Sequence, residues 1–466
     1  MSASPFLTGN YAPVGDELTR YDLPVLGRLP DRLRGTLFRN GPNPQFEPVE
    51  PYHWFTGDGM VHAITLGDGR ASYRNRWVRT PKFLAEAGAG RPLFAGFGRP
   101  LTEAAARLDT GVANTHVMSH AGRLLALEEA HRPTRLDPDD LSTLCYEDFG
   151  GALPGRFTAH PKRDPTTGQL VFFSYSANGP FSAGMCWGTI EPDGVVSRRE
   201  MFDAPYCSMV HDFAVTATHV VFPVLPLTGD LARARAGGPP FAWEPERDGF
   251  LGVLRRDQGI ASLVWTKAAS GFAFHVMNAF DADGDVVMDV VEYDAPPLFP
   301  RADGGIPAPE ATRSRLCRWR IDTTGRARAR REVLDELQGE FPRIDERRSG
   351  LPYRHGFRVC QIPGAAGAEA IVHHDLERRG RSLFTLKEGE RASEAVFVPD
   401  SDDAAEGEGW LLTVVWRPEL DDSVLLVLNA QQLERGPVAV VSLPRRIPFG
   451  FHGSWLAATG PSTSRA

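Results

Sequence analysis

Four histidines stand in the same kind of sequence context, each beside small or aromatic apolar residues. They are His160 in RFTAHPK, His211 in SMVHDFAVT, His275 in GFAFHVMNAF and His452 in PFGFHGSW. A buried imidazole must have both ring nitrogens satisfied, by hydrogen bonds or by a metal ion. For any one of these rings, a hydrogen bond to the backbone is a sufficient explanation. Four in one context favour a shared task, and imidazole is a common ligand of iron, copper, nickel and zinc.

A metal site of this kind also requires acidic residues, because a ligating histidine usually gives its second ring nitrogen to a carboxylate. Three glutamates adjoin apolar segments, where an unpaired carboxylate would be costly: Glu129 in LLALEEAHRP, Glu340 in LQGEFPRID and Glu394 in RASEAVFVP. Glu128 competes with Glu129 for the first of these positions. The residue types alone therefore permit a metal site but leave the ordinary core explanation open.

The spacing of the histidines restricts the scaffold that could bring them together. At least 51 residues separate each from the next, whereas a local chelate such as HExxH places two ligands on one helical face. Wide spacing suits a radial fold, in which strands from several blades line a common axis. The same axis would then collect side chains that are distant in sequence.

Short apolar or alternating runs bounded by Gly, Pro, Asp or Asn recur along the chain, as in QLVFFSYSA, DVVMDVVEYD and WLLTVVWRP. This pattern is typical of an all-β protein with many strands. Seven units of about 67 residues would each hold a four-stranded blade and a loop, so we expect a β-propeller with degenerate repeats, as one domain over residues 1–466. The best helical candidates are residues 101–108 (LTEAAARL) and 332–337 (EVLDEL). Two long loops rich in Pro and Gly, residues 225–246 and 294–311, are expected to cap one face.

Composition excludes several classes of protein. Fifty-one Lys and Arg against 59 Asp and Glu give a net charge of -8, which argues against nucleic acid as a partner. The N-terminus lacks a signal-peptide pattern and no run of about 18 apolar residues occurs, so we expect a cytoplasmic protein. Five cysteines without a CxxC pair suggest neither a disulfide framework nor a zinc knuckle. GxGxxG, Walker A and GxSxG motifs are also missing.

Residues 38–80, which begin FRNGPNPQFEPVEPYHWFTGDGM, resemble the N-terminal signature of the carotenoid cleavage oxygenases. ANTHV, TAHPKRDP, MVHDFAVT, FHVMNAF, EFPRID, SEAVFVPD and FHG follow in that family's order, so the resemblance covers nearly the whole chain. It implies a seven-bladed β-propeller capped by loops and helices, with one ferrous ion held by four histidines. Matching the family motifs assigns those ligand positions to His160, His211, His275 and His452.

The resemblance also implies supporting residues around that ion. Motif matching pairs Glu129 with His211, Glu340 with His275 and Glu394 with His452, and aligning RPTRLDP favours Glu129 over Glu128. His160 would have no such partner. A threonine whose methyl group crowds one coordination position corresponds to Thr115 in VANTHV. The residues expected to line an apolar substrate chamber, each of which could equally be ordinary core, are Phe55, Phe97 and Phe451.

The implied activity is cleavage of an electron-rich alkene by dioxygen into two carbonyl products, without a reducing cofactor. In the branch that cleaves phenolic stilbenes and phenylpropenes, a tyrosine and a lysine hold the phenolic oxygen. Phe97 and Glu128 stand in those places here, and a carboxylate would repel a phenoxide. The segments LTGNYAPV and RNGPNPQFEP are instead similar to carotenoid cleavers. We therefore expect a carotenoid or apocarotenoid substrate.

Other functions remain compatible with this sequence. One is cleavage of stilbenes or phenylpropenes on the same fold, another is a propeller that binds partners without catalysis, and a third is a retinoid isomerase with the same iron site. An apolar polyene would be drawn from a bilayer. Residues 92–97 (PLFAGF) could accordingly contact the membrane surface, or could fold over the chamber as a lid.

Overall fold

The computed structural model describes residues 4–129, 131–153, 155–364 and 367–458. In these ranges the protein is built almost entirely of short antiparallel strands, with α-helices at Pro81–Ala89 (α1) and Leu231–Arg235 (α2). No helix in the described ranges is both long enough and apolar enough to cross a bilayer.

The strands follow one another along the chain in three groups. Up to position 147 they are β1 (Thr19–Arg20), β2 (Val25–Gly27), β3 (Gly35–Pro42), β4 (Gly59–Gly67), β5 (Arg70–Trp77), β6 (Phe94–Ala95), β7 (Arg99–Pro100), β8 (His116–His120), β9 (Arg123–Leu127), β10 (Thr134–Leu136) and β11 (Thr143–Tyr146). The next group is β12 (Lys162–Arg163), β13 (Leu170–Tyr175), β14 (Gly184–Ile190), β15 (Val196–Asp203), β16 (Ala214–Val215), β17 (His219–Val224), β18 (Leu227–Gly229), β19 (Phe241–Trp243), β20 (Gly249–Arg255), β21 (Val264–Ala268), β22 (Phe272–Ala282), β23 (Asp285–Tyr293), β24 (Ser314–Asp322), β25 (Arg330–Asp335), β26 (Gly339–Ile344) and β27 (His355–Gln361). The last group is β28 (Glu369–Asp375), β29 (Gly380–Thr385), β30 (Arg391–Ala392), β31 (Val396–Pro399), β32 (Gly409–Arg417), β33 (Asp422–Asn429), β34 (Pro437–Ser442) and β35 (Gly453–Ala457).

Seven sheets of four or more strands form within the described ranges. Their strand orders are β1-β5-β4-β3-β35, β11-β10-β9-β8, β12-β13-β14-β15, β16-β17-β20-β21, β22-β23-β24-β25, β26-β27-β28-β29 and β2-β34-β33-β32-β30. Successive antiparallel strands mostly neighbour each other, which is the up-and-down order of a propeller blade. The predicted all-β, seven-bladed β-propeller is therefore confirmed.

The chain divides into two compact units, the first formed by residues 1–147, 367–373 and 382–466 and the second by residues 148–366 and 374–381. In the first unit, β3 pairs with β35, so an early strand and the last strand of the described residues share one sheet. One core cluster of this unit joins Leu37 and Ile64 of that sheet to Leu412 and Leu425 of another. In the second unit, buried apolar residues of β17 and β20 pack with those of β22, β23 and β24.

Two details of the helix prediction were wrong. A helix was predicted over residues 332–337, but β25 covers most of them as an outer strand paired with β24. Residues 101–108 contain only a 3-10 turn at Ala105–Arg107.

Helix α1 was not predicted, although its end signals are present. Thr80 caps its N-terminus by accepting a hydrogen bond from the Phe83 amide, Pro81 occupies its first position, and Gly90 ends it with a φ of 64°. Lys82 on α1 is buried and forms ion pairs with Asp58 and Glu86, at 2.7 and 2.8 Å.

Candidate metal centre

Three of the predicted histidine ligands lie together in the second unit. The Nε2 atoms of His160 and His211 are 3.0 Å apart, and those of His211 and His275 are 3.2 Å apart. A ligand nitrogen from each of these rings and from His452 lies within 4.8 Å of the others, and all four residues are buried. In the ranges the structure describes, this is the one group of three or more potential ligands so arranged.

A β-bulge turns His275 toward the other rings. Ala273 pairs with Glu292 and Val276 with Val290, so three steps along β22 match two along β23, and a second irregularity follows before Asn278. Such a bulge leaves the extra residues out of the ladder and re-aims their side chains, which is why bulges are common beside functional sites. The sequence pattern of an apolar strand gave no sign of it.

Asp212 ties the three histidine segments of this unit to one another. Asp212 follows His211 directly. Its Oδ2 accepts a hydrogen bond from the Val276 amide, beside His275, at 2.9 Å. Its Oδ1 accepts from Nζ of Lys162, two residues beyond His160, at 2.7 Å. Oδ1 also accepts from the Phe213 amide at 2.8 Å. Sequence reasoning missed this residue. The available signal was a carboxylate inside an apolar run, directly after a candidate ligand.

Replacing Asp212 by asparagine is expected to lower the free energy of unfolding by about 1–3 kcal/mol, because one carbonyl oxygen cannot serve three donors. We also expect metal affinity to fall by about tenfold, since residues that orient ligands typically matter to that degree. Denaturant unfolding and metal titration of the metal-free protein measure the two effects. Asp345→Asn is the matched control, because Asp345 is buried but its partner is Arg347. Equal metal affinities in both variants would show that Asp212 stabilises the fold without orienting the metal ligands.

Glu340 lies against His275, the pairing that the family resemblance implied. Nδ1 of His275 donates to Oε2 of Glu340 at 2.6 Å, the Tyr293 hydroxyl donates to Oε1 at 2.7 Å, and the Phe341 amide donates to Oε2 at 2.8 Å. Burial on its own would raise the pKa of Glu340, but the His275 ring and these hydrogen bonds outweigh it and hold the pKa below its usual value. The ladder of β26 and β27 shifts register just after Glu340, where Phe341 has a φ of 56°.

Glu394 stands in the same relation to His452 in the first unit. Oε1 of Glu394 accepts from His452 Nδ1 at 2.8 Å, and Oε2 accepts from the Gly453 amide at 2.9 Å. Both side chains are buried. The backbone amide of His452 donates to the Thr115 carbonyl at 3.0 Å, so the predicted threonine adjoins this ligand segment.

Glu129 and its neighbour Glu128 follow the end of β9. Glu129 is partly buried, and its pairing with His211 stays a prediction. Glu128 is buried, and its Oε1 accepts hydrogen bonds from the amides of Val112 and Ala113 at 2.7 and 2.9 Å. Its Oε2 lies 3.2 Å from Nδ1 of His131, a histidine outside the ligand group.

The three predicted chamber residues belong to one aromatic cluster in the first unit. Phe55 and Phe451 rings are 5.5 Å apart, and both Phe55 and Phe97 contact His53, at 4.7 and 4.6 Å between ring centroids. Phe451 also packs on Trp54 at 4.4 Å. Phe451 is buried while Phe97 remains 40% exposed, so the cluster runs from the interior to the surface.

The geometry of the rings fits a divalent metal ion. In the neutral form of His275 and of His452, each ring donates Nδ1–H to a carboxylate and carries an unshared electron pair on Nε2. The Nε2 atoms of His160 and His211 face each other at 3.0 Å, and those of His211 and His275 at 3.2 Å. These atoms would repel one another if each carried an unshared electron pair. Two ligands at right angles on one ion, with bonds of about 2.1 Å, are about 3.0 Å apart. The residues present can therefore hold a metal.

Comparison with known proteins matches residues 11–457 to the family described as retinal pigment epithelial membrane protein. The chain is 36% identical to an isoeugenol monooxygenase of Pseudomonas nitroreducens, over 97% of this chain and 98% of that protein. It is also 36% identical to a carotenoid cleavage oxygenase of Mycobacterium tuberculosis, over 98% of each. The crystal structure of a Pseudomonas brassicacearum lignostilbene dioxygenase superposes with a TM-score of 0.94 at 34% identity, over 98% of this chain and 99% of that one.

Proposed function

Because this chain belongs to the retinal pigment epithelial membrane protein family, that of the carotenoid cleavage oxygenases, we propose that it cleaves a carbon–carbon double bond of a carotenoid or apocarotenoid. The enzyme class, an alkene-cleaving oxygenase, is common to its named relatives. One alkene and one dioxygen give two carbonyl products, so the atoms balance without a reductant. The carbonyls would be aldehydes at a disubstituted double bond.

The observation that carries this proposal is the convergence of four buried imidazole nitrogens, two of them on rings whose opposite nitrogen faces a carboxylate. His160, His211, His275 and His452 would hold one ferrous ion per chain. Glu340 and Glu394 would hold a proton on Nδ1 of the His275 and His452 rings and keep these rings correctly turned, and Glu129 would do so for His211. When bound, the ion would supply open coordination positions at which dioxygen can be activated.

The chain's own residues would orient the substrate and exclude water. The aromatic cluster of Phe55, Phe97 and Phe451 offers an apolar wall to a polyene. Thr115 is buried, and its hydroxyl donates to Asn114 Oδ1 at 3.0 Å. The hydroxyl is therefore turned toward Asn114, and the methyl group on the same carbon points in a different direction. We propose that this methyl limits access to one position on the ion.

The choice of a carotenoid or apocarotenoid rests on the phenol-binding pair that this chain lacks. Phe97 has no hydroxyl, and Glu128 engages backbone amides through Oε1 while its Oε2 lies 3.2 Å from His131 Nδ1. Neither side chain offers a cation or a phenol hydroxyl to a phenolate. An apolar substrate end therefore suits these positions better.

A second candidate is a phenylpropene or stilbene. Two observations favour it: the 36% identity to an isoeugenol monooxygenase and the TM-score of 0.94 with a lignostilbene dioxygenase. Both relatives are named for phenolic alkenes. A substrate of this kind would need a polar partner other than the tyrosine and lysine pair.

Contact with a bilayer surface is part of the proposal, because a carotenoid would be delivered from one. Large apolar side chains exposed in this part of the first unit are Leu84, Phe97, Leu101 and Leu108. Phe94 and Ala95 are buried, so only Phe97 of the predicted segment adds a large exposed side chain to this group.

The test is incubation of the iron-loaded protein with carotenoids, apocarotenals, stilbenes and isoeugenol, in detergent and in phosphatidylcholine vesicles, under ¹⁸O₂. We expect apocarotenals or carotenoids to be cleaved fastest, with label in both carbonyl products when these are reduced at once to stop exchange with water. Rapid cleavage of phenolic alkenes alone would replace the proposed substrate with the second candidate. A geometric isomer without cleavage would identify an isomerase, and no reaction with any alkene would contradict the proposal.

A further inference from the structure

A buried segment without regular secondary structure carries Thr115. Residues 109–115 (DTGVANT) form neither helix nor strand, and residues 111–115 are all buried. Every buried backbone amide needs a hydrogen-bond acceptor, and an irregular segment cannot find them in a ladder. The acceptors must come from elsewhere in the fold.

Carboxylates supply most of these acceptors. The Gly111 amide donates to Asp109 Oδ1 at 2.8 Å, and the next two amides, of Val112 and Ala113, both donate to Glu128 Oε1 at 2.7 and 2.9 Å. The Thr115 amide then donates to the Leu127 carbonyl, the residue before Glu128, at 2.9 Å. The end of β9 and the Glu128 side chain thus hold this segment together.

The conformation fixed in this way is a strained one. Ala113 has a φ of 47°, in the left-handed region that a residue with a Cβ seldom occupies. Its carbonyl accepts from Asn40 Nδ2 at 2.8 Å and the Val112 carbonyl accepts from the Gly59 amide at 2.8 Å. Gly59 is needed for this approach, since a Cβ there would lie 2.4 Å from the Ala113 oxygen. Such strain persists only where the surroundings over-determine the backbone.

We propose that Glu128 is a positioning residue, which acts through the Val112 and Ala113 amides to fix Thr115 beside the metal-ligand segment. The link onward is short, because the Thr115 carbonyl accepts from the His452 amide at 3.0 Å. This proposal rests on the proposed function for its catalytic consequence, but its structural content does not. Glu128 therefore has a task different from that of Glu129, although the two are neighbours in sequence.

Hydrogen exchange of the metal-free protein tests the structural content directly. In Glu128→Leu the Val112 and Ala113 amides lose their acceptor, so exchange of a peptide covering 109–115 should accelerate by about tenfold or more. Glu128→Gln keeps a carbonyl oxygen in reach of both amides and should stay within about threefold of wild type. Glu147→Leu is the control, because Glu147 is a buried carboxylate whose partner is Arg123, at 3.4 Å. It should leave this peptide unchanged.

Kinetics of the iron-loaded protein tests the catalytic consequence. Glu128→Leu should retain its iron and lower kcat by about tenfold or more with little change in KM, while Glu128→Gln restores most of kcat.

If Glu128→Leu does not fold, Glu128→Asp serves instead, since it keeps the charge but withdraws the acceptor by one methylene. Unchanged exchange in the leucine or aspartate variant would overturn the proposal. So would a glutamine variant whose defect lies mainly in KM, which would indicate direct substrate contact. Inactivity of the wild-type protein on every alkene would refute the proposed function, yet leave the exchange result standing.

Discussion

A protein carrying His275→Ala is expected to lose more than about 100-fold in iron affinity and to cleave no alkene. The substitution removes one of the converging imidazoles and leaves Glu340 without the ring that faces it at 2.6 Å. A carboxylate that loses its partner in a partly buried site is costly, so the free energy of unfolding should fall as well. Iron titration of the metal-free protein and turnover of the best substrate are the measurements.

His373→Ala is the matched control for this experiment. His373 is also a buried histidine, on β28, but its Nδ1 lies 3.4 Å from the Ser382 hydroxyl and it is not part of the ligand group. We expect iron content and turnover near those of the wild type. Equal turnover by the two variants would contradict the assignment of His275 as a ligand.

Glu340→Gln has the second-largest expected effect, a 10- to 100-fold loss of iron affinity or activity with the fold preserved. The glutamate accepts from His275, Tyr293 and the Phe341 amide. A glutamine side chain is uncharged, and with its oxygen in the place of Oε2 its NH₂ group would donate to the Tyr293 hydroxyl, which would have to reverse its role from donor to acceptor. The His275 ring would then be held by a weaker, uncharged acceptor, which lowers its basicity as a ligand and fixes its orientation less firmly.

Two comparisons make the Glu340 result specific. Glu394→Gln should give a loss of similar size, because Glu394 accepts from His452 Nδ1 and from the Gly453 amide in the same way. Glu332→Gln should change neither iron affinity nor turnover, because Glu332 is exposed and pairs with Arg379. Wild-type turnover in Glu340→Gln would remove its supporting role.

Residue type and context selected the candidate histidines and glutamates, and the resemblance to the carotenoid cleavage oxygenases implied how they pair. Histidines and glutamates among apolar residues are costly unless they are partnered, and the structure brings His275 to Glu340 and His452 to Glu394. The fold was predictable for a similar reason. Many short strands separated by Gly and Pro have few ways to bury their apolar faces, and a propeller is one of them.

Geometry set by the surrounding fold was not predictable. The bulge in β22 turns His275, and it arises from pairing with β23 and from the Asp212 carboxylate, which accepts the Val276 amide. Residues 332–337 have helix-forming residue types, yet pairing with β24 made most of them a strand, because tertiary pairing overrides local preference. The role of Glu128 could not be read from sequence either, since it depends on where two backbone amides point.

The proposed mechanism requires that imidazoles distant in sequence hold one ferrous ion. Crystals of the iron-loaded protein, with diffraction measured on both sides of the iron absorption edge, would locate that ion. We expect a single anomalous iron peak per chain, bonded to His160, His211, His275 and His452. An iron-replete crystal with no peak among these rings, or with the peak at another site, would contradict the proposed metal centre.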